Sequence, residues 1–378
     1  MKNKIIRINF LVIFAIILLV AFSFNNKPEK YINKNGALLA LSLDGNKINK
    51  FPEKGAYKVD VVCKNANGVW DYGKWELLIN DITGNISCEL NFNSITKQKF
   101  NDYIIKLTGT TQGTGKVVNE NGYRYEGKNP NNYVWFNNEY WRIIGVFDNT
   151  SHGQSGKKLV KIMRSETLGI LMWNNTDVNN WNSSTLNSLL KDSYYNAKDG
   201  TATDYCYGDN YYSLKVNCNY TKKGIQSEYR NMIENVTWYL GGYTTEEITA
   251  DQFYKYEREG NVYSGRPTSG TGYIGLMYVS DYGYSVLASD CPRTTTLHQG
   301  YSSATCASKS WIYGKGNDWT ITQYSKSPNA VLRISPDGFI ILQGGTSGYG
   351  VRPNLYLNDS VYIIDGDGSY ENPYIIGM

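Results

Sequence analysis

Histidine is nearly missing from this chain: His152 and His298 are the only two in 378 residues. Both stand in polar loop stretches, so a nucleophile that needs an imidazole base beside Ser or Cys has little to draw on. No G-x-S-x-G elbow occurs. No C-x-x-C occurs either, and neither histidine has zinc-site spacing to a cysteine. An excess of one charge is also missing. Apart from Lys2, Lys4 and Arg7, the chain holds 35 basic against 34 acidic side chains, which gives no electrostatic case for nucleic acid. Gly109, Gly113 and Gly115 precede Lys116, but the spacing is not that of a phosphate loop, and Val117 stands where Ser or Thr would follow. Asp365-Gly366-Asp367-Gly368 lacks the remaining ligands and closing Glu of a calcium loop and reads as a plain turn. No metal or cofactor is expected. The 34 acids leave a glycosidase carboxylate pair open.

The strongest feature present lies at the N-terminus. Residues 10–22 are all apolar, Lys2, Lys4 and Arg7 precede them, and no acid accompanies those cations. Basic flanks stay cytoplasmic, so the rest of the chain is expected outside. Residues 5–24 supply the roughly 20 residues of a spanning helix. The expected location is therefore the cell membrane, single-pass, with an extracellular C-terminal part. The alternative is secretion after cleavage near Ser23, since Ala21-Phe22-Ser23 is a passable signal-peptidase site.

All six cysteines follow that segment: Cys63, Cys88, Cys206, Cys218, Cys291 and Cys306. They fall into three local pairs separated by 25, 12 and 15 residues, which favours disulfides 63–88, 206–218 and 291–306 in an oxidising compartment. Tyrosine is abundant at 33 residues, with many Asn and Gly. That suits a β-rich domain with a polar surface.

Turn signals and alternation divide the chain into a stalk over 25–37, a small disulfide-stapled β domain over 38–96, a Gly/Thr-rich linker over 97–121 and an α+β domain over 122–378. In the first domain, 57–63, 75–79 and 86–92 read as strands. The second opens with a hairpin, 133–136 and 139–144, turned by Asn137-Asn138. On that second strand Trp141 faces inward and Arg142 outward, the latter paired with an acid, and Arg352 also reads as a structural cation. A strand follows at 159–163. Ser183 caps a short helix carrying Leu186, Leu189 and Leu190. A second helix is expected from Ser227, with Tyr229, Met232, Ile233, Val236 and Leu240 on one face. A third starts at Thr244 with Glu247 as capping box and runs to Gly260. Strands are then expected at 273–279, 331–334, 339–342, 350–357 and 374–376.

The ordered set from Asn131-Asn132-Tyr133-Val134-Trp135-Phe136 through Trp141-Arg142, Trp181-Asn182-Ser183-Ser184, Ser280-Asp281-Tyr282-Gly283, Trp319 and Gly350-Val351-Arg352-Pro353 to the tail Gly366–Tyr374 resembles an uncharacterised domain of surface proteins from low-GC Gram-positive bacteria. The arrangement is similar to the C-type-lectin-like fold, including the branch shared with formylglycine-generating enzymes. The resemblance covers most of 122–378 and implies no established activity. A copper oxidase of that branch would use paired reactive cysteines, whereas Cys291 and Cys306 fit a loop disulfide. The pilin-like leader of some such proteins is absent, as no Glu follows the start of the apolar run.

The leading functional expectation is a membrane-tethered cell-surface protein acting in adhesion or in binding a glycan or protein ligand. The alternatives are an extracellular enzyme acting on glycan or peptidoglycan, and a structural subunit of the envelope. Trp173, Trp181, Trp311 and Trp319, all in irregular Asn/Gly-rich context, are the candidate sugar-stacking residues if exposed. If buried, they are core.

Overall fold

Asn137 and Asn138 both adopt positive φ, 56° and 58°. This is the backbone of a type I′ turn, whose twist matches that of the strands it joins. It connects β11 (Tyr133–Phe136) to β12 (Glu139–Phe147), the hairpin at the centre of the larger of two compact units. The computed structural model describes residues 37–208, 214–243, 248–313 and 317–378. The units divide between Lys97 and Gln98, and together they make a mixed α and β chain dominated by sheets.

In the first unit, β1 (Ala37–Leu43), β2 (Asn46–Ile48), β3 (Tyr57–Lys64) and β6 (Ile86–Ser94) form a sheet of order β2-β1-β6-β3. Strand β6 alternates strictly. Ile86, Cys88, Leu90 and Phe92 are buried, as a two-residue period requires of a strand with one face in a core. The hairpin of β4 (Asn67–Asp71) and β5 (Glu76–Asn80) adds Trp70, whose ring meets Phe92 edge-on at 5.1 Å. Cys63 and Cys88 are direct cross-strand partners and are joined. The other two disulfides, Cys206–Cys218 and Cys291–Cys306, lie in the second unit, so all three sequence-expected pairs form.

The second unit begins earlier than expected. The stretch read as a linker holds β7 (Gln98–Lys99), the helix Phe100–Lys106, β8 (Thr111–Gln112) and β9 (Gly115–Asn119). Its Gly and Thr content hid three fully buried anchors, Phe100, Ile104 and Val117. The main sheet runs β7-β22-β23-β11-β12-β10-β9-β8, with β10 (Tyr123–Gly127), β22 (Tyr362–Asp365) and β23 (Tyr374–Gly377). The first half of β12 pairs with β11, and residues further along it pair with β10 and with β13 (Leu159–Arg164). One nine-residue strand thus organises the sheet.

Two helical expectations change. Ser227–Met232 is a 3-10 turn, and β15 (Val236–Tyr239) is a strand paired with β16 (Ser269–Gly272). The helical spacing of apolar residues was coincidental. The β-branched and aromatic run Val236-Thr237-Trp238-Tyr239 prefers a pleated strand. Thr244 and Glu247 lie outside the described residues. The helix nearest them, Ala250–Arg258, has its capping box at Thr249 and Gln252 instead. The expected strand 273–279 is an irregular crossing followed by the helix Val279–Gly283. A Cβ at Gly275 would lie 2.7 Å from the Trp238 ring, so this close crossing requires glycine.

Among the described residues no helix is long and apolar enough to cross a membrane. The longest, Ala250–Arg258, has nine residues and spans about 14 Å, against roughly 30 Å of bilayer hydrocarbon. The expected single-pass location in the cell membrane is corrected accordingly. Residues 5–24, on which it rested, and the cleavage site near Ser23 lie outside the described residues, as do residues 25–36 of the stalk expected over 25–37, whose last residue, Ala37, begins β1.

The staple across β3 and β6 closes a 25-residue separation, so replacing both Cys63 and Cys88 by Ala should cost the first unit about 3 kcal/mol. Hydrogen exchange on the full chain should then show protection lost in β3 and β6 and retained in residues 98–378. Unchanged exchange in both strands would show that the core carries the unit without its staple.

Candidate functional site

The four candidate tryptophans are core residues. Trp173, Trp181, Trp311 and Trp319 are 0%, 2%, 7% and 1% exposed. Three of the indoles are pinned by their N–H. Trp173 donates to the Thr320 carbonyl at 3.1 Å, Trp311 to that of Tyr125 at 2.8 Å and Trp319 to that of Leu171 at 2.9 Å. Their rings cannot receive a sugar, and the stacking expectation for these four residues is corrected. A loop-rich region needs large side chains to fill its interior, and each of these three indole N–H groups satisfies a backbone carbonyl far away in sequence. Asp318, beside Trp319, is held by Arg352.

The titratable groups of the interior are engaged with one another. Asp281 accepts from Arg124 Nη1 at 3.0 Å, from Lys161 Nζ at 2.6 Å and from the Tyr278 backbone N–H at 3.0 Å. Burial alone would raise its carboxyl, but Lys161 and Arg124 outweigh that and hold it at about 2. Burial brings Lys161 down to about 8 against the pull of Asp281. Aromatic rings complete the shell: Lys161 Nζ lies 4.4 Å from the Tyr278 ring centroid and 5.3 Å from that of Trp238. Glu257, fully buried and raised by burial, accepts from the N–H and hydroxyl of Ser280, from Thr322 Oγ1 and from Arg258. His152 is buried with both ring nitrogens used. Nδ1 accepts from Gln154 N–H, so Nε2 carries the proton donated to the Phe147 carbonyl. These groups hold elements together and are closed to a substrate. Among the described residues no three His, Cys, Asp or Glu side chains converge as a metal site would need.

The outer face of the central hairpin is different. Along β11, Val134 and Phe136 turn into the core and are fully buried, which puts Tyr133 and Trp135 on the opposite face, only partly covered. The register sets Tyr140 against Trp135 and Arg142 against Tyr133. A fourth ring arrives from the tail, where Tyr370 stacks on Tyr140 at 4.7 Å and 20° and is 55% exposed. Trp135 meets Tyr140 edge-on at 5.0 Å, and Tyr133 lies 5.4 Å from Tyr370. Trp141 points inward as expected. Among the described residues Arg142 pairs with no acid. It lies 3.9 Å above the Tyr133 ring and donates to Asn132 Oδ1, and burial lowers it to about 10. Arg352 makes the structural ion pair expected of it. The alternation that marked the hairpin also carried the platform, since Tyr133, Trp135 and Tyr140 share one parity class across the register. The contribution of Tyr370, more than 200 residues away, had no local signal.

Acids are sparse on this platform. Glu139 lies on the Phe136 face and is forked by Arg164. Glu371 stands beside Tyr370 and is the acid whose charge reaches Tyr140. The sequence matches no family model, and it has no significant match among curated proteins or solved structures.

Removing the central carboxylate by Asp281→Asn leaves two buried cations without their counter-charge, so stability should fall by about 3–5 kcal/mol. The folded carboxyl lies below its ordinary 3.8, so its stabilising effect is complete above that value and is lost as pH falls through about 2. Denaturant unfolding of the two proteins at neutral pH would measure the difference, and equal midpoints would contradict it. Glu126 behaves oppositely. Burial pushes it from 4.5 up to about 8 although Arg293 lies 2.6 Å away. The folded form keeps a proton that the unfolded form has lost, so stability declines as pH rises from 4.5 to 8. Glu126→Gln should flatten that decline in thermal melts. A slope identical to that of the parent would remove Glu126 as its cause.

Proposed function

We propose that residues 98–378 form a glycan-binding module, acting in adhesion through the aromatic face of Tyr133, Trp135, Tyr140 and Tyr370. The observation that carries this reading is four neighbouring rings with solvent-facing surface on one hairpin and its adjoining tail. Sugar rings have apolar C–H faces and polar rims. An aromatic ring takes the face, and tyrosine hydroxyls and neighbouring amides take the rim. A glycosidase would need two carboxylates flanking the bound sugar, separated by roughly 5–10 Å. Here Glu139 faces the other way and is committed to Arg164, and the Asp367 carboxylate in the tail turn accepts from the Ser369 N–H, so neither is set as the partner of Glu371. Binding without turnover is therefore the better reading. Three disulfides fit work in an oxidising compartment. A C-type-lectin-like identity for 122–378 agrees with a glycan ligand and rests on the motif resemblance.

A glycan array probed with the full chain, followed by calorimetry on the best ligand, tests the proposal. Trp135→Ala and Tyr370→Ala should each weaken binding about tenfold, or about 1.4 kcal/mol, with melting temperature nearly unchanged because both rings lie on the outer face. Release of reducing ends from the glycan would favour the enzyme instead. A blank array together with a captured protein ligand sensitive to Trp135→Ala would assign the face to protein recognition.

A further inference from the structure

A second surface feature stands apart from the platform. The helix Thr185–Leu189 continues into a π-helical segment, Leu190–Tyr194. This wider turn is uncommon and recurs at functional sites. Its effect here is to keep Asn187, Lys191 and Tyr195, four residues apart in series, along one stripe. Leu186, Leu189, Leu190 and Tyr194 fill the core on the other side. The stripe forms one wall of a groove of about 200 Å³, and Asn235 and the segment 271–274 form the other. That volume is below the roughly 300 Å³ at which drug-sized pockets begin and suits a single ring.

Tyr195 and Tyr273 stack at 4.5 Å and 6°, nearly parallel. Each therefore has one face covered by the other, and Tyr273 remains 38% exposed. Asn187 and Asn235 bring side-chain amides. Lys191 is the single charged residue of the lining, and no acid is among it. Lys191 makes no ion pair among the described residues. Asp192 follows it on the helix, where adjacent side chains do not face each other. Glu234, next to Asn235, is engaged by Lys157 and Asn358. Among the described residues the lining thus offers one cation without an acid partner, two amides and an aromatic surface, while Arg230, 5.8 Å from the Tyr195 ring centroid, turns its Nε to the Tyr195 and Ile225 carbonyls.

We propose that this groove binds a single carboxylated sugar residue, of the uronic acid class. The sugar ring lies against the Tyr195–Tyr273 pair, its carboxylate meets Lys191, and its hydroxyls meet the amides of Asn187 and Asn235. The site does not depend on the hairpin platform, and separate variants distinguish the two.

The test uses the full chain with glucuronic acid and glucose as probes, read by ligand-observed NMR titration. Glucuronate should bind about tenfold more tightly than glucose, and added salt should reduce that margin. Lys191→Gln should abolish the preference, Tyr273→Ala should weaken both sugars, and Trp135→Ala should leave both unchanged. Lys191 and Tyr273 are exposed, so unchanged melting temperatures will show that their variants are folded. Equal affinity for the two sugars, a preference that survives Lys191→Gln, or no glucuronate binding at about 10 mM would each overturn the proposal. Loss of glucuronate binding in Trp135→Ala with Lys191→Gln silent would move the acid-binding site to the platform.

Discussion

Asp281 holds the second unit together from its interior. Its carboxylate takes Arg124 from β10, Lys161 from β13 and the N-terminal N–H of its own short helix. The two cations lie 157 and 120 residues away in sequence. Ions this deep are costly to desolvate, and the cost is offset only when every partner is in place. The cluster therefore fixes the helix Val279–Gly283 against the sheet in one arrangement. Lys161 and Arg124 then serve as cationic centres for the surrounding rings, with Arg124 lying 4.6 Å from the Phe147 centroid and 4.7 Å from that of Tyr284. Few aliphatic side chains are needed where tyrosines and tryptophans pack around such charges.

That interior explains the choice of outer face. Once β12 has its inward parity set by Trp141 and Ile143, the opposite parity is fixed as well, and a one-residue slip would bury Tyr140 and expose Trp141. The type I′ turn then locks Trp135 beside Tyr140. The parallel pairing of β23 with β11 brings the tail alongside, which places Tyr370 on the same surface. The platform is thus a consequence of register in the sheet, and its rings contact one another, an arrangement that lowers the ordering cost of binding.

Much of the local structure was legible in the sequence. The hairpin could be read from period-two alternation around Asn137-Asn138, and the disulfides from pairs of cysteines close in sequence. Both are short-range signals. Short-range signals mislead where long-range packing decides the outcome. Residues 97–121 looked like a linker because they are polar and Gly/Thr-rich after Leu107, although Phe100 and Ile104, one helical turn apart, and Val117 are all buried. Residues 227–240 matched a helical period until Val236–Tyr239 found a strand partner thirty residues on. The tryptophans lie in polar sequence, yet three of their indoles answer carbonyls about 150–190 residues away. The Asp281 cluster is the extreme case, since no local pattern announces which of 34 acids will meet which cation.

On the proposed glycan-binding reading, ligand meets the outward rings of the hairpin and tail while the buried indoles only support them. Nine tryptophans provide nine indole N–H probes. Nitrogen-15 indole spectra of the full chain, recorded while an array-selected oligosaccharide is titrated, should show the Trp135 signal moving with saturation. The signals of Trp173, Trp181, Trp311 and Trp319 should stay in place. A titration in which Trp135 is silent while one of those four shifts would contradict the account.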